Sequence, residues 1–204
     1  MGSLMISFLT LSTALIGPGF APIGGHEGVE VYQKKDAALI ELAAVGEFDA
    51  PPAEVQAALL DYSAATRVTS RLAESKVLSR RGGELTVYQY LKLPVIKDRD
   101  FTLRVLWNEG DPRGLQFSID NARGPGGTGH AVRMTTLNGR WDLEPIREGT
   151  ATRATYHVQL DFAGSVPRWM VRGGAAKDLP NLYQGLRRLI VDRRQGRVGA
   201  VSSR

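Results

Sequence analysis

The chain has 204 residues, of which 43% are hydrophobic and 23% charged, so it holds enough apolar material for one globular domain and is not a disordered chain. It contains no cysteine, which excludes disulfide scaffolds, thiolate metal sites and cysteine nucleophiles. The net charge of +5 is scattered along the chain without a basic, aromatic-rich stripe, so no nucleic-acid partner is expected.

The amino-terminal segment differs from the rest of the chain. Residues 4–16 are almost uninterrupted apolar sequence, and the helix breakers Gly17, Pro18 and Gly19 follow them. This length suits a signal-peptide core and is too short to span a bilayer. We therefore predict an apolar leader or signal peptide over residues 1–25 and a periplasmic or secreted protein. The alternative is a cytoplasmic protein whose leader packs on the fold.

The main domain is predicted to span residues 26–194, with a basic tail over residues 195–204. Its first elements are two strands, because residues 28–34 and 38–48 alternate between apolar and polar positions. A short helix follows, with Asp49 as the predicted N-cap and prolines in its first turn. A second short helix or turn is predicted over residues 63–71.

A run of strands occupies the middle of the chain. The predicted strands are 73–80, 84–92, 98–108, 114–121, 131–145 and 151–162, and a flexible glycine-rich loop lies over residues 123–129. A long helix over residues 167–193 ends the domain, and Pro180 is expected to bend or break it. This order of elements predicts an α+β domain in which helices pack on one curved antiparallel sheet.

The strand alternation also separates an inward face from an outward face. The predicted inward residues of the later strands are Phe101, Leu103, Val105, Phe117, Ile119, Tyr156, Val158 and Leu160. Gln89 and Arg99 are polar residues on otherwise apolar faces. A buried guanidinium needs acceptors for its donors. Arg99 therefore belongs either to a structural hydrogen-bond cluster near the strand end or to a polar anchor at the bottom of an apolar cavity.

Several segments, in their order and spacing, resemble one known family. They are GVEVY at 28–32, DAPPAEV at 49–55, VYQY at 87–90, DRDF at 98–101, WDLEP at 141–145, TRATY at 152–156 and GSVPRW at 164–169. In these segments the chain resembles the bacterial START domains, which belong to the helix-grip (Bet v 1-like) superfamily. The resemblance covers residues 28–190.

The resemblance implies a helix-grip fold, in which the curved sheet wraps around the long C-terminal helix and leaves a tunnel between them. It implies a lipid, sterol or other apolar ligand, with the C-terminal helix and the loops at 93–96 and 123–129 as a lid. Arg99 matches an arginine that pairs with an acid inside the cavity of cholesterol-type members, and Gln89 stands at the position of that acid. Trp141, Leu179 and Tyr183 complete the predicted ligand-contacting set.

We therefore predict a monomer that binds a lipid or other apolar ligand and contacts membranes transiently through the C-terminal helix and loops. Transfer, sensing and storage stay open. No cofactor is expected. The first alternative is a polyketide cyclase or hydrolase of the same superfamily, which needs acid–base groups in the cavity. His26, His130 and His157 have no evident inward partner, so no catalytic residue and no metal ligand is predicted. The second alternative is an interaction module whose cavity is filled by side chains.

Overall fold

The structure is a computed structural model that describes residues 16–35, 37–94, 96–127, 129–163 and 168–197. Its strands are β1 (Phe20–His26), β2 (Val29–Lys34), β3 (Ile40–Phe48), β4 (Leu72–Arg81), β5 (Glu84–Leu91), β6 (Arg99–Asn108), β7 (Asp111–Ile119), β8 (Val132–Arg133), β9 (Thr136–Ile146) and β10 (Ala151–Asp161). Its α-helices are α1 (Pro52–Leu59), α2 (Ala65–Val68) and α3 (Arg168–Arg194), and short 3₁₀ turns cover Tyr62–Ala64, Asn121–Arg123 and Arg147–Gly149. The predicted leader and basic tail lie outside the described residues, apart from residues 16–25 and 195–197.

The ten strands belong to one sheet, in which nine follow the order β1-β2-β3-β10-β9-β7-β6-β5-β4. Every neighbouring pair along this path is antiparallel, and the short β8 pairs in parallel with the start of β6. The sheet curves around α3, and α1 and α2 pack between the two on the same side. The predicted α+β, helix-grip fold with two short helices after the early strands is confirmed.

Helix α3 is held on the sheet by Tyr183, which is fully buried. Its ring stacks on Phe48 at a centroid distance of 5.3 Å, and its hydroxyl lies 2.9 Å from the carbonyl oxygen of Ala44 and 3.0 Å from that of Ala154. Gly46 leaves room for the ring, since a Cβ there would lie 2.9 Å from two ring carbons. The helix runs through Pro180 without a break.

Three local predictions need correction. Strand β1 was not predicted, because Pro22 and the glycines after it interrupt the alternation. An edge strand tolerates them, and a bulge between Pro22 and Gly24 absorbs the irregularity. The strand predicted over 131–145 is divided into β8 and β9. Asp49 does not cap α1: the N-cap is Pro51, and Asp49 instead pairs with Arg147 at 2.6 Å on the surface.

The glycine-rich loop lies on the outer face of the sheet, which corrects the prediction that it forms part of a lid. Arg133 donates to the Pro125 carbonyl and to Asp100, both at 2.8 Å, and so ties the loop to the outward side of β6. A Cβ at Gly124 would overlap the Thr102 side chain, so glycine is needed for this close approach. Residue 128 lies outside the described residues.

Candidate functional site

A first cavity of about 240 Å³ lies between the sheet and the short helical segments. Its sheet wall is Gln89, Leu91, Phe101, Leu103, Phe117, Leu137, Trp141 and Tyr156, and its helical wall includes Ala58, Leu59, Tyr62, Val68, Leu182 and Leu186. Its lining is mostly apolar, because the inward positions of β5, β6, β7, β9 and β10 all face it. The volume exceeds the roughly 150 Å³ of an apolar cavity that holds benzene.

A second cavity of about 210 Å³ lies between the sheet and the first half of α3. It is lined by Leu42, Leu137, Tyr156, Val158, Leu160, Phe162, Val171, Ala175 and Leu179, and by Leu93, Pro94 and Ile96 at its edge. The loop predicted as a lid at residues 93–96 therefore borders this cavity. Residue 95 lies outside the described residues.

The two cavities adjoin, because Arg71, Leu137 and Tyr156 line both. Arg71 immediately precedes β4 and forms a two-point ion pair with Asp178 of α3. The distances are 3.0 Å from Nε to Oδ2 and 3.3 Å from Nη2 to Oδ1. We call this ion pair the gate pair. The gate pair links α3 to the start of β4. About a third of each side chain is exposed, so breaking the ion pair costs little free energy.

The polar groups in the lining include two side chains with protein partners, Asp61 and Gln89, and two phenols, Tyr62 and Tyr156. Asp61 is paired with Arg193 of α3 at 2.8 Å and accepts a hydrogen bond from the Ala64 amide, and Gln89 donates to Ser75 at 3.2 Å. Tyr62 and Tyr156 are phenols in an apolar setting, and burial raises the pKa of each well above its ordinary value. Both phenols are therefore neutral at physiological pH.

The structure places Arg99 at the start of β6 and not in the lining of either cavity. Its guanidinium donates to the carbonyl oxygens of Phe162, Lys97 and Ala163, the last at 3.0 Å, and its side chain is almost fully buried. Burial lowers the pKa of Arg99, and the nearby Asp98 opposes that shift. These contacts form the structural hydrogen-bond cluster, which is one of the two interpretations of Arg99 given by the sequence. The role of Arg99 as a ligand anchor stays a prediction.

Most of the other predicted ligand-contacting residues are brought together around the cavities. Gln89, Phe101, Leu103, Phe117, Trp141 and Tyr156 line the first cavity, and Tyr156, Val158, Leu160 and Leu179 line the second. Val105, Ile119 and Tyr183 lie in or against the surrounding core and not in either lining. Contact of the lining residues with a ligand stays a prediction.

Sequence reasoning missed Tyr62, Arg71 and Asp178. Tyr62 lies between α1 and the segment predicted as a short helix or turn at 63–71, where an aromatic residue has no strand alternation to indicate its direction. Arg71 and Asp178 are 107 positions apart, and no local pattern connects them. Only an ion pair seen in three dimensions identifies them as part of the site.

The histidines lie elsewhere. His157 points to the outer face, where its ring meets Phe20 edge-on at a centroid distance of 6.2 Å. Burial, with a smaller effect from Arg140, lowers the pKa of His157. His26 lines a surface groove together with Arg147 and other charged residues, and His130 is exposed. No described residue that lines the two cavities is a histidine.

A curved antiparallel sheet that grips a long C-terminal helix, with apolar cavities between them, defines the START-type helix-grip class. Residues 40–190 match the family model described as "Polyketide cyclase / dehydrase and lipid transport", and the chain belongs to this family. The resemblance predicted from the sequence is thereby confirmed.

The chain is similar to several known proteins. An uncharacterized protein of Pseudomonas aeruginosa is 25% identical over 167 residues, which cover 79% of this chain and 82% of the relative. The crystal structure of a STAR-related lipid transfer protein from Xanthomonas axonopodis is similar, with a TM-score of 0.73, 21% identity, and coverage of 85% of this chain and 99% of that one. The Zhui aromatase/cyclase from Streptomyces has a TM-score of 0.55 and 12% identity, with coverage of 81% and 99%. The two structures show the shared fold.

Within the described ranges, none of the helices combines the length and the apolar character needed to cross a membrane.

Proposed function

We propose that this protein binds a lipid or another apolar molecule in the two adjoining cavities between the sheet and α3. The observation that carries the proposal is the mostly apolar lining, formed by the inward positions of six strands together with residues of α3. Apolar surface gains roughly 25 cal/mol per Å² when it leaves water. A ligand that buries about 250 Å² of apolar surface therefore gains roughly 6 kcal/mol before the cost of association.

The proposal includes a movement of α3 relative to the rest of the lining when the ligand is exchanged. The gate pair and the loop at residues 93–96 border the second cavity, so α3 can separate there after one part-exposed ion pair breaks. The apolar side chains of Leu93, Pro94 and Ile96 suit a transient contact with a membrane surface during exchange. We also propose that the protein is a monomer. Its proposed location is periplasmic or secreted, with the cytoplasm as the alternative.

A second candidate function is a cyclase-like activity, which one observation favours. Tyr62 and Tyr156 place two neutral phenols in the first cavity, where they can donate hydrogen bonds to a carbonyl group of a reacting molecule. Turnover of a poly-β-carbonyl compound, followed by mass spectrometry, tests this candidate. A carrier returns such a compound unchanged, whereas an enzyme returns a product.

Native mass spectrometry, with organic extraction of co-purified molecules, tests the binding proposal. Two neighbouring positions of α1 supply a matched pair of variants: Ala58 lines the first cavity, and Ala57 lines a separate shallow groove near Arg193. We expect a stoichiometric apolar ligand on the wild type and on Ala57→Leu, and less of it on Ala58→Leu, whose side chain occupies cavity volume. Thermal unfolding verifies that both variants are folded.

The outcomes separate the candidates. A ligand that is present equally on all three proteins places binding outside the first cavity and contradicts the proposal for it. A wild type that neither carries a ligand nor takes up added lipid supports an interaction module instead.

A further inference from the structure

The six tyrosines of the chain divide into two groups by the partner of the phenol oxygen. In the first group the phenol donates a hydrogen bond: Tyr32 to Glu30 at 2.6 Å, Tyr88 to Asp100 at 3.4 Å, Tyr90 to Asp98 at 2.9 Å, and Tyr183 to main-chain carbonyls. The phenols of Tyr62 and Tyr156 contact no donor or acceptor within hydrogen-bond distance among the described residues. The two phenols without such a partner belong to half-buried residues, and both residues line the first cavity.

The two phenols approach the first cavity from different walls. Tyr156 is on the sheet wall, where its ring lies 4.6 Å from Trp141 and 6.1 Å from Phe117, measured between centroids. Tyr62 is on the helical wall, in the 3₁₀ turn between α1 and α2. They are close enough that Tyr62 contributes, after burial, to the raised pKa of Tyr156.

The charge in this lining is already neutralised. Arg71 is paired with Asp178, and Asp61 is paired with Arg193, so neither cavity offers an unpaired ion among its described residues. A charged ligand group would have to lose its hydration without gaining a counter-ion. The lining therefore favours an uncharged ligand, and neutral phenols offer it donors.

We propose that Tyr62 and Tyr156 hydrogen-bond one oxygen acceptor of a neutral amphiphile, such as a ketone, ester or alcohol, whose apolar body lies against Phe101, Leu103 and Phe117. This inference rests on the proposed binding function and names the class of ligand. The two phenols bind the acceptor, and the surrounding apolar wall binds the rest of the molecule. A ligand without an acceptor leaves both hydroxyls unpaired.

The test compares Tyr62→Phe, Tyr156→Phe and the double variant with the wild type, and uses Tyr90→Phe as the control. Tyr90 loses a hydroxyl on the outer face, outside both linings. The probes are decane, the methyl ketone of the same chain length, and decanoate, and affinity is measured by displacement of Nile red. One neutral hydrogen bond corresponds to about a 2- to 12-fold change in affinity.

We expect each cavity variant to bind the ketone about 2- to 12-fold more weakly, to bind decane as the wild type does, and to keep the wild-type unfolding temperature. The control should change none of these. Equal losses for ketone and decane, or no loss for either, overturn the inference while leaving the binding function in place. A wild type that binds decanoate most tightly overturns the neutral-ligand class. A wild type that binds none of the probes overturns both the inference and the binding function.

Discussion

Replacement of Arg99 by leucine separates a structural role for this residue from a role in holding the ligand. The guanidinium bonds the carbonyl oxygens of Lys97, Phe162 and Ala163, and so fastens the start of β6 to the segment that follows β10. Leucine fills much of the volume but donates no hydrogen bond. The three carbonyl oxygens then lose their donors in a buried setting.

The expected cost follows from these contacts. Hydrogen bonds to charged groups contribute about 1.5–3 kcal/mol each, and partial rehydration at the sheet end recovers some of that sum. We expect Arg99→Leu to lower the free energy of unfolding by about 3–5 kcal/mol, because each of the three buried carbonyl oxygens left without a donor costs about 1–3 kcal/mol before that rehydration. In a chain of this length the melting temperature should fall by about 10 °C.

Thermal unfolding followed by circular dichroism measures this loss, and binding of the decane-derived ketone is measured well below the variant's melting temperature. Arg104→Leu is the matched control, because Arg104 lies on the outer face of the same strand in a part-exposed pair with Glu84. We expect the control to melt close to the wild type. A variant of Arg99 that melts within about 2 °C of the wild type but no longer binds the ketone would refute the structural role and restore Arg99 as the anchor.

Three further predictions follow from single contacts. Asp178→Asn weakens the gate pair and should speed ligand exchange about 2- to 5-fold in stopped-flow fluorescence. Glu54→Gln weakens an ion pair between α1 and α3 away from the cavities and should leave the exchange rate unchanged. Equal exchange rates in the two variants would exclude a gate. Gly46→Ala pushes on the buried ring above it and should cost about 1–3 kcal/mol in urea unfolding, whereas Gly173→Ala, with open space around it, should cost nothing. The lowered pKa of His157 means that the unfolded chain binds its proton first as pH falls below about 6.5. The stability that neutral His157 gives the folded state is therefore lost as the pH falls below that value. His157→Asn should reduce the stability difference between pH 7.5 and 5.5, and an unchanged difference would show that this histidine is not responsible.

Much of the fold could be predicted because strand alternation is a local property. Side chains two positions apart on a strand face the same side of the sheet, so Phe101, Leu103 and Phe117 could be placed on the inner wall from the sequence alone. The apolar stripe of α3 is local in the same way, and Leu179 follows from it. The prediction failed where position in the sheet overrides local rules, as in β1, whose one proline and two glycines suit an edge strand.

The candidate site could be predicted only in part, and for a physical reason. Periodicity determined which side chains face inward, and resemblance to START domains supplied the helix that closes the cavity. The tertiary structure alone decided the partner of each polar group: backbone carbonyls for Arg99, Asp178 for Arg71, and no described protein group for the phenols of Tyr62 and Tyr156. Those pairings depend on segments that are far apart in the chain and that only the curvature of the sheet around α3 brings within hydrogen-bond distance.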